Sequence, residues 1–214
     1  MLFRSLSAAE FAASTLQGLN VKAVVVGENF RFGHKHAGDV HLLRALGEKH
    51  GFRVHVCAPV RLRDAIVSSS EVRERIATGS VSRAARMLGR WYAVEGEVVP
   101  GHGIGSKQTV PTLNLEPPAQ LLPADGVYAT HTTDLEHGTH WNSVTNVGLR
   151  PTFGGTSRTV ETFLLGDLVD SPTKIRVEFL ARLRPERTFP NPESLKQQIF
   201  KDVSRAKRLF RYYG

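Results

Sequence analysis

A single cysteine, Cys57, stands in the 214 residues. No disulfide can form within the chain, which excludes the bridged frameworks of small secreted domains. Cys57 falls in the apolar run Phe52 to Ala58 and reads as a small core residue. No apolar stretch approaches the length of a membrane span. The opening Met1-Leu2-Phe3-Arg4-Ser5 leads straight into a helix signal with no signal-peptide core behind it. These absences predict a cytoplasmic chain with no membrane partner. Aromatic residues make up only 8%. The arginines of the first part are scattered through a helical pattern rather than clustered with aromatics, so nucleic acid ranks last among partners. No internal repeat or low-complexity tract occurs.

The chain has 41% hydrophobic residues and a net charge of +8, enough apolar material for one large or two modest cores. The charge is uneven. Residues 1–90 hold 14 Lys+Arg against 7 Asp+Glu, whereas residues 91–214 hold 14 against 13. Such an imbalance suits a site for anionic nucleotides, or a half-domain whose acidic partner segment is absent.

Residues 1–58 alternate helix and strand. Ser7-Ala8-Ala9-Glu10 is a capping box. Val21 to Val26 and Phe52 to Ala58 read as short buried strands. Between them, Asp39 caps a helix carrying Leu42, Leu43 and Leu46 and closed by Gly51. Strand, helix and strand in that order predict one parallel crossover. Ser68-Ser69-Ser70-Glu71 starts a further helix ending near Gly79, and Ser80 caps another that ends at Gly89. Two strands cannot form a sheet shielded on both faces, so this first part reads as incomplete. From Trp91 the pattern turns to β, with runs at 92–99, 110–115, 126–133, 140–147, 158–165 and 174–183 separated by Gly, Pro and Asp clusters. That spacing predicts a small antiparallel barrel or sandwich. A closing helix is capped by Asn191 and begins at Pro192, with Leu195, Ile199, Val203, Ala206 and Phe210 on one face.

The chemistry concentrates at Gly101-His102-Gly103-Ile104-Gly105-Ser106-Lys107, followed by Val110-Pro111-Thr112-Leu113-Asn114-Leu115. Glycines let backbone N–H groups approach a phosphate. Thr112 and Asn114, two apart on an extended run, share a face, and their neutral oxygens suit Mg²⁺ carried on a nucleotide. The pattern is not a P-loop, because no Gly-Lys-Ser/Thr opens a helix. His137-x-x-His140 lies in a polar hairpin with no cysteine near it, and a zinc site is not predicted there.

From Leu88 to the C-terminus the chain resembles the riboflavin kinase module of the bacterial bifunctional riboflavin kinase/FMN adenylyltransferase family. The resemblance rests on Leu88-Gly89-Arg90-Trp91-Tyr92, the Gly101–Gly105 turn, Pro111-Thr112-Leu113-Asn114 and Gly126-Val127-Tyr128-Ala129. It continues through Asn146-Val147-Gly148-x-x-Pro151-Thr152-Phe153, Val160-Glu161-Thr162-Phe163 and Gln198-Ile199-x-x-Asp202. The first 90 residues resemble the back half of the adenylyltransferase module, through Gly27-Glu28-Asn29-Phe30-Arg31-Phe32-Gly33, Gly38-Asp39 and Val67-Ser68-Ser69-Ser70-Glu71-Val72-Arg73. The family's Gly-x-Phe-Asp-Gly-x-His-x-Gly-His signature is missing, and His34-x-His36 belongs to a different motif. The implied fold is a partial, Rossmann-like α/β nucleotidyltransferase segment (1–90) followed by a small antiparallel β-barrel with a C-terminal helix (91–214).

The resemblance implies a riboflavin kinase that uses riboflavin and ATP with Mg²⁺ and yields FMN. It makes Glu161 the catalytic base. Without it, a strand glutamate would read as a surface carboxylate; its alternation with Val160 and Thr162 lets it project into the barrel mouth. Thr112 and Asn114 are implied to hold Mg²⁺, and Gly101, Gly103, Gly105, Lys107 and Pro111 to hold ATP. Phe153, Arg184 and Glu186 are implied to wall the flavin. Ser68, Ser69, Ser70 and Arg73 are the residual adenylyltransferase motif. Ser106 and Thr109 replace the family's usual Arg and Gly, which removes a cation near the phosphates. Two alternatives stay open: a bifunctional enzyme that also makes FAD, and a noncatalytic flavin- or nucleotide-binding relic. The incomplete first segment leaves apolar surface that favours self-association.

Overall fold

The computed structural model describes residues 5–63, 65–100, 112–116, 120–152, 155–168 and 170–213, the side chains of 150–157 excepted. It divides into two compact units, Met1–Val67 and Ser68–Gly214.

The first unit begins with α1 (Ala8–Glu10), which runs on as a π-helical stretch, Phe11–Leu16. The Ser7 hydroxyl accepts from the Glu10 N–H and the Glu10 carboxylate accepts from the Ser7 N–H, the reciprocal cap predicted from the sequence. Strand β1 (Ala23–Gly27), helix α2 (Val40–His50) and strand β2 (Arg53–Cys57) form the crossover, and the two strands pair in parallel with Val24 opposite Val54 and Val26 opposite Val56. The Asp39 carboxylate caps α2 by accepting from the Leu42 N–H at 2.9 Å. Gly51 ends the helix at φ 77°, a left-handed geometry that a side chain would strain. Between β1 and α2, Phe32 pairs with Gly38, and a Cβ on Gly38 would fall 2.6 Å from the Phe32 ring. A hairpin of β3 (Arg61–Leu62) and β4 (Ala65–Ile66) completes the unit.

One face of the β1–β2 sheet packs Val24, Val26 and Val54 against Ala12, Phe32, Leu43, Leu46 and Phe52. The other face is open: Val25 is 66% exposed and Cys57 is exposed. The expectation that Cys57 is a core residue is therefore corrected. Residues along a strand alternate faces, and Cys57 shares the open face with Arg53 and His55.

The second unit opens with α3 (Ser69–Ala77) and α4 (Val81–Leu88). Ser68 caps α3, its hydroxyl accepting from the Glu71 N–H at 3.2 Å. Ser80 precedes α4 but makes no side-chain cap bond, contrary to the sequence reading; its ψ of 48° is not the extended geometry that a capping side chain needs. Six strands follow: β5 (Tyr92–Val99), β6 (Thr112–Leu115), β7 (Gly126–Asp134), β8 (His140–Thr152), β9 (Gly155–Leu164) and β10 (Lys174–Pro185). They close into an antiparallel barrel in the order β10-β5-β6-β9-β8-β7. Helix α5 (Pro192–Tyr213) ends the chain, with the Asn191 side chain accepting from the Ser194 N–H at 2.9 Å.

The barrel interior is filled by Val94, Leu113, Leu115, Tyr128, Val147, Val160, Leu164, Ile175, Val177 and Phe179, and Val81 of α4 packs on the same cluster. Burial pushes the Tyr128 hydroxyl up to about 12, so it stays a donor, to the Ala124 carbonyl. On the outside, Ala206 and Phe210 of α5 cover Val127, Ala129, Val144, Leu180 and Leu183. Leu195 lies outside this seam and is 40% exposed, so the apolar stripe read from the sequence is shorter at its N-terminal end than expected.

Among the described residues the interior also holds five serine and threonine side chains at full burial: Thr130, Thr132, Ser143, Thr145 and Thr162. They bond to one another in a closed circuit: Thr130 to Ser143 (2.7 Å), Ser143 to Thr132 (2.8 Å), Thr132 to Thr162 (3.4 Å), Thr162 to Thr145, and Thr145 back to Thr130 (2.8 Å). A hydroxyl donates once and accepts up to twice, so every member is satisfied without water. Replacing Thr162 by Val keeps the shape and leaves two buried hydroxyls short of a partner. The expected loss is about 1–3 kcal/mol, read in urea unfolding followed by tryptophan fluorescence; both tryptophans, Trp91 and Trp141, lie in this unit.

Candidate active site

Alternation along three neighbouring strands builds the site. In β6, Leu113 and Leu115 enter the barrel core, which turns Thr112 and Asn114 outward. In β9, Val160, Thr162 and Leu164 are buried inside, which turns Glu161 and Phe163 outward. In β8, Thr145 and Val147 point in and Asn146 points out. Strand register then aligns them. Asn114 is the direct partner of Glu161, and Glu161 is the direct partner of Asn146. Thr112 lies in the adjacent row, opposite Phe163. Directly opposed residues of an antiparallel pair carry their Cβ atoms about 4.5–5.5 Å apart on one face.

The sequence reading thus holds for the shared face of Thr112 and Asn114, and Glu161, 47 positions later, joins it. It errs on the direction of Glu161. The carboxylate does not enter the barrel mouth; it stands on the outer wall, because its buried neighbours Val160 and Thr162 occupy the inside. Asn114, Glu161 and Asn146 are each half-buried, and among the described residues none of their side chains makes a hydrogen bond or ion pair. Partly buried polar groups without protein partners are groups left for a ligand or water.

Asn146 was not singled out from the sequence as a site residue. Its signal was available: it sits one residue before Val147-Gly148, and β8 alternation places it with Glu161. Only register, a long-range property, makes the two neighbours.

Two further residues with sequence expectations lie beside this wall. Glu186 follows β10, and its carboxylate presses against Gly148, where a Cβ would fall 2.2 Å from a carboxylate oxygen. Gly148 is two residues beyond Asn146 on the same face of β8, so the missing side chain gives Glu186 its place. Arg184 donates from Nε to the Asp202 carboxylate at 2.9 Å, with both side chains largely buried, and its guanidinium lies 5.5 Å from the Phe189 ring centroid. Gln198, one turn before Asp202 on α5, donates to the other carboxylate oxygen at 2.7 Å and accepts from Arg187. This network explains the Gln198-Ile199-x-x-Asp202 pattern: both side chains face β10 and close its end onto the helix. Beside it opens a cleft of about 350 Å³ between the segment 187–190 and α5, lined by Arg187, Phe189, Ser194, Gln197 and Lys201 among others.

Ser68, Ser69, Ser70 and Arg73 gather at the start of α3 and are exposed. Gly101, Gly103, Gly105, Lys107, Pro111 and Phe153, with Ser106 and Thr109, lie outside the described residues. His137 bonds Asp134 at 2.8 Å and His140 bonds Thr133 at 2.8 Å, so the two histidines serve different partners. The donor atoms of Asp134, Glu136 and His137 lie within 4.8 Å of one another. The hydrogen bond to Asp134 is the main cause raising the His137 pKa above its ordinary value.

The chain is similar to known proteins. The family model described as riboflavin kinase matches residues 88–210, and that described as FAD synthetase matches residues 2–71. The chain is 37% identical over 211 residues to the bifunctional riboflavin kinase/FMN adenylyltransferase of Pseudomonas fluorescens, covering 96% of this chain and 67% of that protein. It is 34% identical over 199 residues to the enzyme of the same description from Haemophilus influenzae, covering 90% and 62%. It is 32% identical over 210 residues to that of Escherichia coli K12, covering 97% and 67%. The chain therefore spans about two thirds of the length of these relatives. A crystal structure described as a macrolide-efflux protein from Streptococcus pneumoniae superposes with a TM-score of 0.85 at 27% identity, over 96% of this chain and 66% of that one. Among the described residues no helix is long and apolar enough to cross a membrane.

Removing one member of a buried ion pair strands the other. Asp202→Ala is expected to cost about 3 kcal/mol and to loosen α5 from β10, read as a lower unfolding midpoint and faster amide exchange in α5.

Proposed function

The chain belongs to the bifunctional riboflavin kinase/FMN adenylyltransferase family and carries its riboflavin kinase module; from that premise we propose how the residues described above run the reaction. The γ-phosphoryl group of ATP passes to the 5′-hydroxyl of riboflavin. The hydroxyl oxygen forms the new P–O bond, the bond between the γ-phosphorus and the β–γ bridging oxygen breaks, and ADP leaves with the electron pair. Glu161 accepts the hydroxyl proton as that bond forms. The observation that carries this reading is the direct pairing of Asn114 with Glu161 on one outward face, with neither side chain bound to another among the described residues.

Phosphoryl transfer asks the protein mainly for positioning and charge neutralisation. Mg²⁺ carried in on ATP would neutralise charge on the phosphates. The Thr112 hydroxyl and Asn114 amide oxygen are hard, neutral donors of the kind Mg²⁺ takes, few enough to leave room for phosphates and water. This fits the donor chemistry of the site. The Gly101–Gly105 turn with Lys107 and Pro111 is proposed for the phosphates of ATP. For the flavin ring we propose the neighbourhood of Glu186, the cleft beside Phe189, and Phe153. Arg184 contributes there by holding β10 to α5 through Asp202.

A second reading, in which the chain also adenylylates FMN to FAD, is favoured by the FAD synthetase match to residues 2–71. The open two-stranded sheet of that unit argues against it, since a parallel sheet is normally covered on both faces, and Ser68, Ser69, Ser70 and Arg73 are all that is proposed for such a site. That open face, with Val25 exposed, also supports self-association. A cytoplasmic setting belongs to the same proposal, since both kinase substrates are intracellular metabolites.

Incubation with riboflavin, ATP and Mg²⁺, followed by chromatography of the flavins, tests the whole reading. FMN alone is the expected outcome; FAD alongside it supports the second reading, and neither product removes both. Glu161→Gln is expected to lower kcat by about two to four orders of magnitude with little change in nucleotide binding; an unchanged rate removes Glu161 from the role. Asn114→Ala is expected to shift the Mg²⁺ titration to higher concentration at constant ATP, and an unshifted curve would leave Asn114 a purely structural residue.

A further inference from the structure

We propose that Asn146 is a substrate-binding residue that holds the hydroxylated chain of the phosphoryl acceptor; this rests on the kinase reading given above. Three observations carry it. Asn146 is the direct partner of Glu161 on β8, as Asn114 is on β6, so the three side chains form one row across the outer wall with the carboxylate in the middle. The Asn146 side chain is half-buried and has no partner among the described residues. Two residues along the same face, Gly148 makes room for the Glu186 carboxylate, so the β8 end of the row is lined with polar groups.

The geometry of the reaction orders the row. Attacking and leaving oxygens lie roughly in line through the transferred phosphorus. If the metal-bound triphosphate lies toward Thr112 and Asn114, the acceptor must approach from the opposite end, over β8. Neighbouring strands are about 4.8 Å apart. An acceptor whose terminal hydroxyl meets Glu161 therefore lays its adjoining carbons, and the secondary hydroxyls they carry, across Asn146. A carboxamide both donates and accepts, which matches a chain of hydroxyls, each of which does the same. A cation at this position would instead pair with Glu161. Beyond Asn146 the row meets Val127, buried in the seam under α5, so the accessible polar stripe ends at Asn146. From Glu161 to Asn146 the row thus follows the order of groups in a ribityl tail, the terminal hydroxyl first and the secondary hydroxyls next.

The experiment compares two acceptors, riboflavin and a flavin carrying a 5-hydroxypentyl chain at N10, which keeps the terminal hydroxyl and lacks the secondary ones. Asn146→Ala and Asn146→Thr are both made, the second because Thr favours a strand. For each variant kcat/KM for riboflavin is expected to fall about tenfold, the size of one lost hydrogen bond to a substrate. The KM for ATP should change less than twofold, and kcat/KM for the hydroxypentyl flavin should stay within twofold of the parent. An equal fall on both acceptors, or no fall on either, overturns the role of Asn146 and leaves the kinase reading standing. A parent chain that forms no FMN overturns the kinase reading itself and this inference with it.

Discussion

The position of every proposed catalytic group depends on the pairing register of β6, β9 and β8. In a β-strand the side chains alternate faces, so a slip of one residue would carry Glu161 into the core and Thr162 onto the surface. The barrel specifies register from within. Apolar residues in its interior would tolerate several alignments at modest cost, because dispersion contacts have little direction. The hydroxyl circuit does not: Thr145 and Thr162 are direct partners, each also bonded to a second hydroxyl, and a shifted strand would bury several unpaired oxygens. On the opposite faces of the same two strands stand Asn146 and Glu161, each next in sequence to one of those threonines. The directional bonds inside the barrel thus set the spacing of the polar groups outside it.

The two units differ in how they deal with sheet edges. The second closes its six strands on themselves, and closure removes the edge altogether. The first has two parallel strands covered on one face by α2 and its neighbours, with Val25 and Cys57 on the uncovered face. The residues proposed for the kinase chemistry all belong to the second unit. Helices α3 and α4 join that unit as well: Val81 packs into the barrel cluster, and the left-handed turn at Gly79 brings the backbone close to Tyr128 and Arg182.

Much of the fold was legible because its signals are local. The capping box at Ser7, the Asp39 and Asn191 caps and the glycine stops at Gly51 and Gly89 lie within a turn of the helix ends they define. The strands of the barrel were readable from alternation and turn residues, and β5 falls on the predicted 92–99. The errors came where a residue's surroundings are set from far along the chain. Cys57 sits in an apolar run, but among the described residues the sheet that would bury it has two strands and an open face. Ser80 is a good capping residue in composition, yet the turn after Gly79 denies it the geometry. The outward direction of Glu161 required knowing which of its neighbours line the barrel. Of the candidate site, the shared face of Thr112 and Asn114 was readable by spacing alone. Glu161 needed the family resemblance, and Asn146 needed the register.

The closed hydroxyl circuit has an evolutionary consequence. Each member satisfies two others, so replacing any one with an aliphatic side chain harms positions on neighbouring strands that have not themselves changed. Only exchanges between serine and threonine leave the circuit whole. A fully aliphatic interior can be reached only through intermediates that bury hydroxyls short of a partner. The five positions should therefore drift as a coupled block whose mutational effects are strongly non-additive, while the surrounding valines and leucines interchange one at a time.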